Sequence, residues 1–231
     1  MAPELFDDLA GQVALVTGAN RGIGREIAAG LVDLNAIVYG GVRDTSYDVP
    51  DGVTPVDIDV TDEALIASAI DDIVAVNDRL DVVVNNAGIG GPGDGVAGLA
   101  ADDLDRVLDV NLRGPTLVAK HALPHLLDRD GRVVNVSSGV GILTDPIESE
   151  MPAYRMSKAG INALTISLDR TYGDRGLIAN SVDPGWVATD LGGEEAPRSP
   201  EKGAETPIWL SRFVPGSPSG LFWKDREPIE F

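Results

Sequence analysis

Two periodicities alternate along the chain. Short apolar runs rich in β-branched residues read as strands: QVALVT (12–17), IVYGGV (37–42), PVDIDV (55–60), DVVVNNA (81–87), RVVNVS (132–137), IANSVD (178–183) and GLFW (220–223). Between them the apolar positions recur at helical spacing, which predicts helices over 23–33, 62–77, 101–127, 153–172 and about 203–212. Strands that are apolar almost throughout belong to a parallel sheet covered on both faces. The expectation is an α/β fold of about seven strands in three layers. No repeat, linker or break in composition divides residues 1–231, so a single domain is expected. One connection is lean. Only RDTSYDVPDGVT separates Val42 from Pro55, and a parallel crossover takes about a dozen residues or more, usually with a helix. A loop or single turn is expected there, leaving that edge of the sheet thinly covered.

Composition narrows the functional classes. The 231 residues hold no cysteine, which excludes disulfides, thiolate catalysis and cysteine-bound metals. The acids outnumber the bases 37 to 18, a formal net charge of −19 that repels phosphate and disfavours nucleic acid and anionic membranes. Because the acids are scattered, they describe either a well-solvated surface or adaptation to high salt, where screening shortens self-repulsion. MAPELFDDLAGQ lacks a secretory signal pattern and no apolar run approaches a bilayer span, so a soluble, cytoplasmic protein is expected.

The first strand runs into TGANRGIGREIAAG (17–30) and then a helix. Glycines allow tight turns and close approach, and a helix N-terminus offers free N–H groups to an anion. The spacing of Gly18, Gly22 and Gly24, TGxxxGxG, resembles the fingerprint of the short-chain dehydrogenase/reductase family. Further matches follow in family order: Asp59-Val60, NNAG (85–88), Asn111, Ser138, YxxxK (154–158) and PGWVATD (184–190). The tail is most similar to the carbonyl-reductase branch. The resemblance covers nearly the whole chain and implies a Rossmann-type, doubly wound sheet. It also implies that Gly18, Asn20, Arg21, Gly22, Ile23 and Gly24 hold the dinucleotide phosphates, and that Asp59 and Val60 hold the adenine. Asn86, Ala87 and Gly88 would pass beneath the cofactor, with Asn85 tying strands, although a purely structural NNAG is the alternative. Pro184, Gly185, Val187 and Thr189 would orient the nicotinamide.

An acid at the end of the second strand would select NAD through the ribose hydroxyls. Here Val42 stands at that position, followed by Arg43, with Arg21 in the phosphate loop. Two guanidiniums favour NADP(H) over NAD(H), unless a shift of register brings Asp44 to the ribose.

Tyr154 and Lys158, four apart, share a helix face. A carbonyl reduction needs hydride at carbon and a proton at oxygen, and a free tyrosine titrates near 10, too high for efficient exchange. A neighbouring ammonium, together with the positive nicotinamide of NADP⁺, favours the phenolate, which is the reason to place the two together. The resemblance makes Tyr154 the proton donor and Ser138 the group that hydrogen-bonds the substrate oxygen, with Ser137 as runner-up. Lys158 would also grip the nicotinamide ribose. Pro115 has no N–H, so the carbonyl of Asn111 loses its helical partner and is free to take a water that links Lys158 to solvent.

His121 and His125 have a metal-compatible spacing but no third ligand, and no metal is expected. Trp186 either walls the substrate pocket or sits in the core. Segment 190–206 reads as a short polar lid, and the fifteen residues GVGILTDPIESEMPA separate Ser138 from Tyr154. The reading is an NADPH-dependent reductase of aldehyde and ketone carbonyls, assembled as a homodimer or homotetramer through its long helices. A 3-oxoacyl-carrier reductase and a non-catalytic dinucleotide sensor are the alternatives.

Overall fold

The computed structural model describes residues 3–144 and 150–231. Eight strands form one sheet: β1 (Val13–Thr17), β2 (Ile37–Val42), β3 (Val53–Asp57), β4 (Val82–Asn85), β5 (Arg132–Val136), β6 (Ile178–Val182), β7 (Phe222–Lys224) and β8 (Glu227–Ile229). Their order is β3-β2-β1-β4-β5-β6-β7-β8, parallel throughout except for the antiparallel β7–β8 pair. The strand order reverses between β1 and β4. In such sheets the carboxyl ends of the strands open a crevice at that point.

The helices are α1 (Gly22–Asp33), α2 (Glu63–Asn77), α3 (Gly95–Gly98), α4 (Ala101–Leu108), α5 (Gly114–Leu127), α6 (Pro152–Tyr172) and α7 (Pro200–Ser211). Side chains alternate across the strands and feed two cores. Ala14 and Val16 pack with Ile27 and Leu31 of α1 and Leu210 of α7. Val13 and Leu15 face the other way, onto Ile66, Ile70 and Ile73 of α2, Leu126 of α5 and Leu168 of α6. Each fully buried isoleucine contributes about 1.5–3 kcal/mol, so three at i, i+4 and i+7 anchor α2 firmly. Among the described residues no helix is long and apolar enough to cross a membrane.

Four differences from expectation have physical causes. The helix over 101–127 is not continuous: a π-helical turn, Asp109–Arg113, separates α4 from α5. Pro115 cannot donate to the Asn111 carbonyl, and the N–H of Gly114 instead reaches the Asp109 carbonyl, five residues back. Strand β8 was not read because its hairpin turn is Asp225-Arg226. Both residues take positive φ (51° and 66°), a geometry that Asn-Gly would have announced. Strands β3 and β4 end earlier than expected, so Asp59-Val60 and Asn86-Ala87-Gly88 lie on loops beyond them. The segment read as a lid candidate (190–206) is helical over its last part, since Ser199 caps α7 through the Lys202 N–H and Pro200 opens the helix. Between β2 and β3 there is a loop with turns and no helix, as the lean connection predicts.

Candidate active site

The carboxyl ends of the strands border a cleft of about 1270 Å³. At its first strand the chain turns through Gly18 (φ +69°) and Gly22 (φ +54°) into α1. A Cβ on Gly24 would lie 2.3 Å from both the Gly18 carbonyl and the Asn86 amide nitrogen, so only glycine fits. That amide donates to the carbonyls of Thr17 (2.9 Å) and Gly18 (3.3 Å), fastening the loop to the segment after β4. Thr17, which the sequence reading passed over, accepts from the N–H groups of Asn86 and Ala87 at 3.0 Å. The α1 N-terminus has no capping side chain, whereas Asp62 caps α2 through the N–H groups of Ala64 and Leu65. Its first N–H groups therefore open onto the cleft beside Asn20, Arg21 and Ile23.

At the end of β2, Val42 and Arg43 line the cleft. The carboxylate of Asp44 instead accepts from the Ser46 N–H at 2.9 Å, in a turn outside the lining. Asp59 accepts the Thr61 N–H (2.9 Å) and hydroxyl (2.7 Å), and the backbone bond leads in holding its carboxyl below the usual range. Val60 packs so closely on Gly114 that a Cβ there would lie 2.9 Å away. The expected pair of free guanidiniums is corrected in one respect. Arg21 is paired with Asp190 at 2.7 Å, across the cleft mouth.

At the reacting end, α6 presents Tyr154 and Lys158. The amine of Lys158 donates to the Val136 carbonyl at 2.8 Å and lies 5.5 Å from the Tyr154 ring centre. Burial pushes the phenol up to about 12, partly offset by a hydrogen bond with Ser138. Burial also pushes the amine down to about 8. In the protein alone the amine is bonded to a carbonyl, and desolvation dominates the phenol. Ser138 stands in the cleft, whereas the Ser137 hydroxyl, also at its edge, donates to the Lys158 carbonyl at 3.2 Å and ties β5 to α6.

Of the residues assigned from the sequence to catalysis or to the cofactor, Asn111 alone is not in the cleft lining. Its side chain accepts from the Ile89 N–H and donates to the Ile89 carbonyl, both at 2.8 Å, and also reaches Ser157 at 3.1 Å. Ser157 donates to the Tyr154 carbonyl at 2.7 Å, so the π-turn braces the helix that carries the tyrosine. Gly88, Ala87, Pro184, Gly185, Val187 and Thr189 complete the lining, with Thr189 lying 3.0 Å from where a Cβ on Gly22 would be. Residues 145–149 of the stretch between Ser138 and Tyr154 lie outside the described residues.

Residues 12–199 match the model of the short chain dehydrogenase family. The chain belongs to that family. It is 33% identical over 229 residues to a 3-oxoacyl-[acyl-carrier-protein] reductase of Thermotoga maritima, covering 95% of this chain and 87% of that one. It is also 33% identical to glucose 1-dehydrogenase 2 of Bacillus subtilis, over 80% and 76% of the two chains. An NADPH-bound carbonyl reductase from chicken fatty liver superposes with a TM-score of 0.85 over 96% and 99%, at 24% identity, a likeness of fold alone. The family consists of oxidoreductases that bind NAD(H) or NADP(H), and this chain has that fold and class.

In this short-chain dehydrogenase the cleft rim decides between the two alternatives for Trp186 and brings in Arg198, Asp225, Asp183 and Lys224, which the sequence did not single out. Trp186 is not in the core: it is 57% exposed at the cleft rim, its indole N–H donating to the Gly192 carbonyl at 2.8 Å. Behind it, Arg198 forms a two-pronged pair with Asp225, 2.7 Å on each prong, which holds the β7–β8 hairpin against the Pro184-Gly185 turn. Asp183 lies beneath that turn and pairs with Lys224 at 2.9 Å. An acid closing an apolar strand was the one available signal. His121 meets Glu63 at 3.1 Å, beside Lys120, on the far side of α5 from this chemistry.

Proposed function

We propose that this short-chain dehydrogenase is an NADP(H)-dependent reductase of aldehyde and ketone carbonyls, able to run in reverse. The observation that carries the reading is the convergence of Tyr154, Ser138 and Lys158 on the same cleft as the glycine loop. The dinucleotide fits the chain: the α1 N-terminus is uncapped, and the glycine cradle leaves no room for a Cβ at position 24. When bound, the reduced dinucleotide supplies hydride to the carbonyl carbon. Gly18 to Gly24 hold its phosphates, Asp59 and Val60 its adenine, and the Asn86–Gly88 and Pro184–Thr189 segments its nicotinamide half.

Ser138 donates a hydrogen bond to the substrate oxygen and steadies the charge that develops there. Tyr154 gives that oxygen its proton, so C=O becomes CH–OH and the phenol becomes phenolate. Lys158 grips the ribose and returns a proton to the phenolate. It is resupplied from solvent through a water on the Asn111 carbonyl, whose partner four residues on is the imino acid Pro115. Preference for NADP(H) rests on Arg43, which lines the cleft without an ion pair within 4 Å among the described residues, and on the outward turn of Asp44.

A second reading, reduction of 3-oxoacyl thioesters, is favoured by the Thermotoga maritima relative. Against it stands the net charge of −19, which repels an acidic carrier. Two copies would associate along α5 and α6, where Leu123, Leu127, Leu164 and Tyr172 line a shallow groove. One steady-state screen tests the whole reading. Aldehydes, ketones, alcohols and a 3-oxoacyl thioester are offered with NADPH and NADH, at low and high KCl, with light scattering alongside. Oxidation of NADPH faster than NADH with simple carbonyls is expected, and rates that rise with KCl would support high-salt adaptation. No turnover of any carbonyl would overturn it.

A further inference from the structure

One buried acid in the cleft has no part in the proposed reaction. Asp183 closes β6 and is 4% exposed. One carboxylate oxygen accepts the Gly185 N–H at 3.0 Å, and the other meets the Lys224 ammonium at 2.9 Å. Lys224 ends β7, whose neighbour Trp223 takes the Asp183 N–H at 2.8 Å. Asp183, Lys224, Tyr154 and Lys158 all border the same cavity.

We propose that Asp183 is a positioning residue: it fixes a negative charge beside the Tyr154–Lys158 pair and ties the C-terminal hairpin, through Lys224, to the reacting end of the cleft. The proposal rests on the reductase reading for its consequence in catalysis, and for its effect on Lys158 on the shared cavity and on the buried Asp183–Lys224 pair that borders it. The charged groups facing Asp183 are Lys224 from β7, Tyr154 and Lys158 from α6, and Arg198 from the segment before α7. A negative charge at this place works against a phenolate and for an ammonium. The carboxylate accordingly works to raise Tyr154 further and to oppose the fall of Lys158 that burial causes. A proton donor kept protonated serves reduction. Oxidation, which needs the phenolate, is held back. Lys224 does the reverse, because its ammonium cancels part of the carboxylate's field. The pair is therefore an adjustable charge, set by one buried acid and one half-exposed base.

The test compares Asp183→Asn with Lys224→Met in the full chain. Asparagine keeps an acceptor for the Gly185 N–H and removes the charge; methionine leaves the acid unpaired. The primary readout is the pH dependence of NADPH binding, followed by protein fluorescence quenching, which needs no turnover. Binding of the anionic dinucleotide is expected to weaken as Lys158, which burial pushes down to about 8, loses its proton. Asp183→Asn is expected to move that inflection to lower pH and Lys224→Met to higher pH. Each should change the ratio of affinities at pH 7 and pH 9 by about threefold, the equivalent of half a pKa unit. The pH at which alcohol oxidation is half-maximal should move in the same two directions. A purely structural latch would weaken binding in both variants without opposite displacements; that result, or no displacement, overturns the proposal. If either variant melts too early to titrate, the other is measured against the parent, where a displacement in the predicted direction supports the proposal. Opposite binding shifts without turnover of any carbonyl would leave the positioning role standing and remove the reductase reading instead.

Discussion

The two ends of the cleft use charge in opposite ways. At the dinucleotide end the bases are in water: Arg21 and its partner Asp190 are 66% and 74% exposed. At the reacting end Lys158 and Asp183 are 5% and 4% exposed. An exposed pair is screened by salt within about a Debye length and contributes little, whereas a buried charge acts across a poorly screened interior. Under the proposed function, charge at the first end therefore selects what binds, while charge at the second sets which protonation state reacts. Substitutions at the two ends should differ in kind as well as in size.

The largest effect is expected at the reacting end. Tyr154→Phe removes the proposed proton donor and leaves the ring packed, so carbonyl reduction should fall by about 10³-fold, within the span for a general acid. NADPH affinity, measured by fluorescence titration, should stay within about twofold, because a lost hydroxyl leaves the phosphate contacts in place. Equal loss of binding and turnover would erase the distinction between the ends.

At the dinucleotide end the informative change is Arg43→Asp. It turns a cation toward the adenosine 2′-phosphate into an anion, and should weaken NADPH by about tenfold or more while leaving NADH nearly untouched. Ratios of kcat/KM for the two cofactors read this directly. Equal losses for both would mean that Arg43 acts on the loop fold and not on the phosphate.

How much of this was legible in the sequence follows from distance along the chain. The glycine loop and YxxxK are local patterns, and local backbone geometry brings Gly18, Gly22 and Gly24, or Tyr154 and Lys158, together without help from the rest of the fold. The parallel sheet was legible because strands buried on both faces leave apolar runs. The π-turn was half legible: Pro115 announced a broken hydrogen bond, but how the helix repaired it depends on Asn111 holding Ile89. The pairs Asp183–Lys224 and Arg198–Asp225 were not legible, since each joins a cleft segment to a hairpin that its own turn residues did not announce. The surroundings of Tyr154 were only half legible for the same reason. Spacing shows that an amine is near, whereas burial and the Val136 carbonyl, which decide what the amine does, belong to the tertiary structure.

The smallest expected effect sharpens the comparison most. Asp190→Asn frees Arg21 from its 2.7 Å partner and leaves it to an incoming phosphate. An exposed pair contributes at most about 1 kcal/mol, so NADPH affinity at low salt should rise by no more than about fivefold. In 1 M KCl, where the Debye length is about 3 Å, the gain should vanish. The displacements expected for Asp183→Asn should persist in the same salt, because the carboxylate and Lys158 are shielded from it. A gain from Asp190→Asn that survived high salt would show that Arg21 and Asp190 become buried when the cleft fills. The segment after Thr189 would then close over the cofactor, and the two ends would share one electrostatic regime during turnover.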